Sequence, residues 1–336
     1  MMLDSLRAIR VRTREVLARR IEPGSSVALL DYPYYPNAGD VLIWAGTRAY
    51  LDDLQVEVRY QERHDRYSRD ELTRRHPRGP ILLQGGGNFG DRWPAHQEFR
   101  ERVISDFPDR HIVQLPQTIE MAPATAVRVR GLYRQHPNLT VLLRDSGSVR
   151  AAEALFPDID TEFCPDLAFG YSAARRRRRP AVDVMELKRD DSESVAAGSL
   201  FSHQPDITTE EMDWGLSSVE QFRWAALRAP RAVGRRVLRQ FPSTGVRDIA
   251  PPYNSFTRLV LRSAERILSR GSVVVTDRLH AVVLAALMGI PVVARDNGNH
   301  KVSTIVGDYL GRLSDVRFAT DSARATEQVV EFLRDR

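Results

Sequence analysis

The stretch Ser272 to Lys301, SVVVTDRLHAVVLAALMGIPVVARDNGNHK, constrains the fold more than any other part of the chain. Its β-branched run, Val273 to Val275, reads as a buried strand. Asp277 stands where a helix cap is expected, with Arg278, Leu279 and His280 in the first turn. The helix should run to about Met288 and stop at Gly289, and Pro291 to Ala294 supply a second buried strand. A strand–helix–strand unit of this kind builds a parallel sheet. In such sheets ligands bind beyond the carboxyl ends of the strands. Arg278 and His280 fall at that edge, on a helix N-terminus whose free N–H groups and dipole attract anions. Arg295, His300 and Lys301 follow the next strand and return to the same edge. Singly, each would ordinarily be a solvated or packing side chain; together they share one anionic target.

The preceding sequence repeats the alternation of strand and helix. Leu3 to Arg20 is a basic, amphipathic helix that either packs on its own domain or lies on an anionic membrane. Ser26 to Asp31 reads as the first core strand. In YPNAGDVLIWAGTRAYL, Asn37, Ala38 and Gly39 then make a tight turn, with Asp40 preceding a helix. Gln55 to Arg59 is a second strand candidate, and Ile81 to Gln84 a third, followed by GGGNFGD. Consecutive glycines cost backbone entropy, so Gly86 and Gly87 imply close approach to a ligand or to another backbone. Asn88 and Asp91 suit a polyol or a helix cap. The spacing matches neither a Walker loop nor a dinucleotide fingerprint. His111 to Leu115 and Thr140 to Leu143 are further strands, the latter ending in Arg144-Asp145-Ser146.

The run Arg175 to Arg179 reads as a solvated linker between residues 1–175 and 180–336, each a doubly wound α/β unit. Val182 to Leu187 restarts the strand pattern, ending at Lys188-Arg189-Asp190. The stretch Ser202 to Pro252, with Trp214, Phe222 and Trp224, is irregular and suits either core packing or an insertion facing acceptor or membrane. Leu259 to Leu268 is an amphipathic helix, and a C-terminal helix near Ala325 to Leu333 is expected to dock on the neighbouring domain.

The net charge of +5 over 336 residues admits acidic substrates or an anionic membrane surface and does not point to nucleic acid. A single cysteine, Cys164, excludes an intrachain disulfide and a cysteine-rich zinc site, and fits a reducing, cytoplasmic setting. Eight scattered histidines without ligand spacing give no expectation of a metal.

NAGDVLIWAGT, LLQGGGNFGD, the strand-end Arg144-Asp145, the Lys188-Arg189-Asp190 end, and TDRLHAVVLAALMGIPVV followed by DNGNHKVS together resemble the polysaccharide pyruvyl transferase family. The resemblance runs from about Ser26 to Leu310, and Ser202 to Pro252 lies outside it. It implies two Rossmann-like halves facing a cleft, as in GT-B glycosyltransferases. It implies phosphoenolpyruvate as donor, no further cofactor, and a sugar of a glycan, exopolysaccharide or lipid-linked saccharide as acceptor, the product being a pyruvate ketal. By motif position, Arg144, Arg278, His280 and Lys301 fall where the family keeps its donor-binding and catalytic groups. Leu279, Gly86, Gly87 and Asn88 flank them. Asn37, Asp40 and Asp91 are the polar candidates for the acceptor.

The residues suit that donor, a small trianion whose carboxylate and phosphate call for arginine forks and helix N-termini. Protonating its methylene carbon needs an acid that titrates near neutral pH, and histidine is the natural one. A nucleotide-sugar glycosyltransferase of the same architecture is the competing reading, and a glycan-binding protein without catalysis is a third. Against the first, many retaining members keep a ribose-binding glutamate where this chain has Leu284.

Overall fold

The computed structural model describes residues 4–175, 179–188, 201, 206–228, 252–296 and 301–335. Two parallel sheets flanked by helices carry the architecture. In the first, β1 (Ser26–Leu30), β2 (Glu57–Glu62), β3 (Ile81–Leu83), β4 (Gly86–Gly90), β5 (Ile112–Glu120), β6 (Leu139–Leu143) and β7 (Asp160–Phe163) follow the order β2-β1-β3-β5-β6-β7, with β4 also on β5. In the second, β8 (Val182–Leu187), β9 (Thr209–Met212), β10 (Gly271–Thr276), β11 (Val292–Arg295) and β12 (Val316–Ala319) run β12-β11-β10-β8-β9. The two doubly wound units expected from the alternating pattern are both present.

The organising segment folds as read. β10 pairs in parallel with β11, Val274 opposite Val292. The helix Leu279–Met288 between them is buried almost throughout and ends at Gly289, whose φ of 67° is the left-handed stop that glycine permits. Its start differs from expectation. Arg278, not Asp277, is the capping residue, and Thr276 Oγ1 accepts the Arg278 N–H at 3.1 Å.

Three other expectations shift by a few residues for local reasons. Asp40 lies inside the helix Ala38–Asp53 rather than before it, because Asn37 caps the helix by accepting the Gly39 N–H at 2.9 Å. β2 starts at Glu57 because Gln55 takes a left-handed φ of 57° to leave that helix. The helix expected from Leu259 begins at Tyr253 and runs to Leu268.

The glycine run forms β4. It lies in line after β3, and both pair with β5. A Cβ on Gly85 would stand 2.6 Å from the Pro116 carbonyl oxygen, and one on Gly90 would overlap the Glu120 carbonyl. These glycines therefore serve close backbone approach along β5, whose own register breaks between Gln114 and Gln117 around Pro116.

The N-terminal helix Leu6–Arg20 packs on its own half. Ile9, Val16 and Leu17 are buried, Arg20 pairs with Asp160 and Glu162, and Arg10 donates to the Phe169 carbonyl at 2.7 Å. The C-terminal helix Ser322–Arg334 packs on β10, β11 and β12 of its own sheet, contrary to the expected docking on the other half. Val329 and Phe332 sit there over Val273 and Val293, so its apolar stripe is covered within the sheet it follows.

The halves meet through a shared core. The helix Ala38–Asp53 packs against Tyr253–Leu268 and Leu279–Met288. An aromatic cluster joins Tyr32 and Tyr34 to Tyr253 and Phe256, and the Tyr32 hydroxyl donates to the Tyr253 carbonyl at 2.9 Å. Part of the irregular stretch is ordered by a capping box: Glu220 accepts from the Ser217 N–H at 2.9 Å, starting a helix over 218–228. Trp224 of that helix reaches the aromatic cluster, while Phe222 is exposed.

Candidate active site

The carboxyl ends of both sheets face one cleft of about 450 Å³. Arg144, at the end of β6, is 2% exposed and anchors its floor. Its Nε donates to Thr118 Oγ1 at 2.8 Å and its Nη1 to Asp166 Oδ2 at 2.7 Å. The same Asp166 oxygen lies 3.2 Å from His280 Nε2, so one buried carboxylate joins the arginine of the first half to the imidazole of the second. Asp166 Oδ1 accepts the Ala168 N–H at 2.8 Å. Burial alone would raise the pKa of Asp166; the charges of His280 and Arg144, with these hydrogen bonds, hold it well below the usual carboxylate range.

Two glycines make room for this constellation. A Cβ on Gly39 would stand 2.7 Å from His280 Nδ1, and one on Gly87 would stand 3.1 Å from Arg144 Nη2. Gly87 thus lets the guanidinium reach the cleft past β4. Gly86 lies one residue behind, towards Ile43 and Asp40, and does not line the cleft.

Arg278, Leu279 and Lys301 complete this wall. Arg278 Nη2 donates to Asp213 Oδ1 at 2.6 Å, with the guanidinium 5.9 Å from the Trp214 ring centre. Lys301 Nζ donates to Glu120 Oε2 at 2.5 Å. Asp213 and Glu120 are partly solvent-exposed, so an incoming anion can displace them at modest cost.

A profile of the polysaccharide pyruvyl transferase family matches residues 37–206 and 257–299. The chain belongs to this family. Pyruvyl transferase 1 of Schizosaccharomyces pombe is 31% identical over 283 residues, 81% of this chain and 66% of that protein. Bacillus subtilis EpsO, whose name gives pyruvyl transferase as a provisional assignment, is 29% identical over 267 residues, 79% of each chain. The solved structure of an uncharacterized Klebsiella pneumoniae protein shares the fold, with a TM-score of 0.57 and 17% identity over 93% of this chain and 99% of that one. This pyruvyl transferase homologue is therefore a transferase acting in polysaccharide synthesis.

Asn37 and Asp40 also line the transferase's cleft, Asp40 accepting from the Tyr35 hydroxyl at 3.0 Å. Asn88 lines the cleft without capping a helix; its carbonyl accepts from the buried Arg100 at 2.8 Å, and its side chain binds the same guanidinium. Asp91 does not belong to the site. It accepts the Ala122 N–H at 2.5 Å and the Thr125 hydroxyl, holding the start of the helix Pro123–Tyr133. Arg295 ends β11 without lining the cleft, and His300 lies outside the described residues.

Sequence reasoning missed five contributors. Asp166, Trp214, His64, His96 and Asp31 carry no sequence signature of a site, and only the fold assembles them. Asp31, at the end of β1 with φ 70°, is 2% exposed and receives both His96 Nδ1, at 2.8 and 3.0 Å, and His64 Nδ1, at 3.2 Å. Among the described residues this trio alone has ligand atoms close enough to share a metal ion, within 4.8 Å of one another. Both rings already direct Nδ1 at the carboxylate, and the fully buried Arg100 adds its positive charge there. Burial pushes the pKa of Asp31 up, and the hydrogen bonds from His64 and His96 with the charges of His96 and Arg100 bring it well below the ordinary range. The trio is thus compensated internally as a hydrogen-bonded unit.

Proposed function

We propose that this transferase takes phosphoenolpyruvate as donor and joins its C2 to two hydroxyls of one sugar in a glycan or lipid-linked saccharide, forming a pyruvate ketal. The observation that carries this reading is that Arg144, Arg278, Lys301 and His280 line one cleft together. Two guanidinium forks and an ammonium match a carboxylate plus a phosphate. In that arrangement Arg144 and Arg278 bind the anionic groups, and Lys301 leaves Glu120 for the donor. His280, backed at Nε2 by Asp166, supplies the proton to the methylene carbon. Asn37 and Asp40 hydrogen-bond the sugar.

The glycosyltransferase alternative fares worse. Leu284 stands where such enzymes hold a donor ribose, and it is fully buried and apolar. Phosphate release from phosphoenolpyruvate, measured across a panel of hexosides, tests the proposal. We expect release with at least one hexoside. Calorimetry that found tight UDP-sugar binding and no phosphoenolpyruvate binding would overturn it.

A further inference from the structure

Two carboxylate-backed imidazoles line the same cleft: His280 on Asp166, and His96 on Asp31. Ketal formation needs both kinds of proton transfer. The methylene carbon must gain a proton, and two sugar hydroxyls must each lose one. We propose that His96, held by the buried Asp31, is the general base for the first attacking hydroxyl, complementing His280 as the acid. This rests on the reaction proposed above and adds the second proton-handling group.

The geometry distinguishes His96 from its neighbour His64. His96 touches both Asp31 oxygens, at 2.8 and 3.0 Å, whereas His64 makes one contact of 3.2 Å. The His96 side chain is 13% exposed against 28% for His64, and it stands in the first turn of the helix Pro94–Asp106 rather than on a short 3-10 turn. With Nδ1 turned to the carboxylate, Nε2 is the nitrogen left for substrate. This is the orienting logic of an Asp–His pair in acyl transfer.

Among the described residues, the following charged and titratable groups stand around the ring. Asp31 lies at the end of β1, the His64 ring is tilted against that of His96 with ring centres 4.5 Å apart, and Arg100 follows one turn along the same helix. The Tyr35 ring centre stands 6.5 Å off and its hydroxyl is committed to Asp40. The hydrogen bond to Asp31 raises the pKa of His64, with its burial opposing.

The proton balance closes over one turnover. In the first step the hydroxyl oxygen bonds C2, its proton passes to His96 Nε2, and protonated His280 gives a proton to the methylene carbon. In the second step the other hydroxyl closes the ring on C2 and returns a proton to His280. The C2–O bond to phosphate breaks, and the departing phosphate carries away the proton held by His96, directly or through water. Both histidines are restored, and no oxidant or reductant is needed.

The test compares wild type with His96→Asn, which keeps the hydrogen bond to Asp31 and lacks Nε2. The assay uses phosphoenolpyruvate and whichever hexoside of the panel wild type turns over. We expect kcat to fall by about 10²-fold or more, the KM for phosphoenolpyruvate to stay within about twofold, and added imidazole to restore part of the rate. Asp31→Asn, a change at a positioning residue, should move the acidic limb of the kcat–pH profile to lower pH, because the ring loses its stabilising anion. A normal kcat for His96→Asn, or a raised acceptor KM with kcat intact, would overturn the assignment. So would an unmoved pH profile in Asp31→Asn. Stoichiometric zinc or manganese retained by purified wild type and lost in His96→Asn would replace it with a metal site. Wild type that releases no phosphate with any hexoside sinks the reaction itself, a failure visible before any variant is made.

Discussion

At the scale of single residues, the donor wall divides binding from proton transfer. His280→Gln retains a hydrogen bond to Asp166 and loses the transferable proton, so kcat should drop by about 10²–10⁴-fold with donor affinity little changed. Arg278→Lys keeps the charge but not the fork, and should weaken donor binding as well as rate. Calorimetry with phosphoenolpyruvate beside steady-state kinetics separates the two. If His280→Gln binds donor tenfold more weakly yet turns over normally at saturation, His280 is a binding residue and Lys301 becomes the candidate acid. Gly39→Ala probes the same ring from behind, since the new methyl would stand 2.7 Å from His280 Nδ1. It should lower kcat while leaving the far-UV circular dichroism unchanged; full activity would show that the ring has room to yield. The anion-binding pocket itself was legible in the sequence because Arg278, His280 and Lys301 belong to one short crossover. Asp166, His96 and Asp31 were not. A lone aspartate after a strand carries no local mark of what the fold will set beside it.

Secondary-structure elements were legible wherever hydrophobic period and chain punctuation agreed, as in β10, the helix Leu279–Met288 and Gly289. They were left unassigned where tertiary pairing overrides local preference. The glycine run is a strand only because β5 offers its edge and carbonyls crowd the backbone, which no propensity scale registers. The Ser217–Glu220 capping box shows the reverse, a local signal in a stretch without wider periodicity. Glu220 also accepts from Ser263 at 3.0 Å and pairs with Arg266 at the same distance. Burial opposes the downward shift that the Ser217, Ser263 and Arg266 hydrogen bonds impose, and its pKa falls to about 2. This box ties the segment carrying Trp214 and Asp213 to the helix Tyr253–Leu268. Glu220→Ala should therefore destabilise by about 1–2 kcal/mol and raise the KM for donor through a less ordered Arg278. Urea unfolding and steady-state kinetics check the pair of effects; a stability loss with an unchanged KM would disconnect the cap from the site.

Across the whole molecule, the two halves are fastened by buried polar links as well as by shared apolar surface. Asp166 of the first half holds His280 of the second, Asp308 accepts the Ser146 N–H at 2.8 Å, and the Tyr309 hydroxyl donates to the Arg144 carbonyl at 3.3 Å. One hydrophobic cluster runs from Ile9 to Val316 through both halves. Neither half can unfold without uncovering the other, so a single thermal transition is expected, followed alike by near-UV dichroism and by calorimetry. Its acid dependence has a definite sign. Asp31 and Asp166 carry folded pKa values below their unfolded value of about 3.8, so each stabilises the fold above that value and loses its contribution as pH falls through the lower one. His64 acts oppositely: its pKa is raised from 6.5, so its contribution is full below that value and fades as pH climbs through the higher folded one. Replacing Asp166 by Asn removes the ionised partner of Arg144 and His280, and breaking a buried pair of this kind costs about 3–5 kcal/mol near neutral pH. The gap between wild type and Asp166→Asn should be widest near neutral pH and should narrow progressively as pH falls below the unfolded value of about 3.8 towards the lower folded one. Urea unfolding at a series of pH values measures that gap directly. A gap that stays constant across the range would mean that Asp166 holds the halves together by shape and neutral hydrogen bonds, and that its ionisation contributes nothing to the seam on which His280 is mounted.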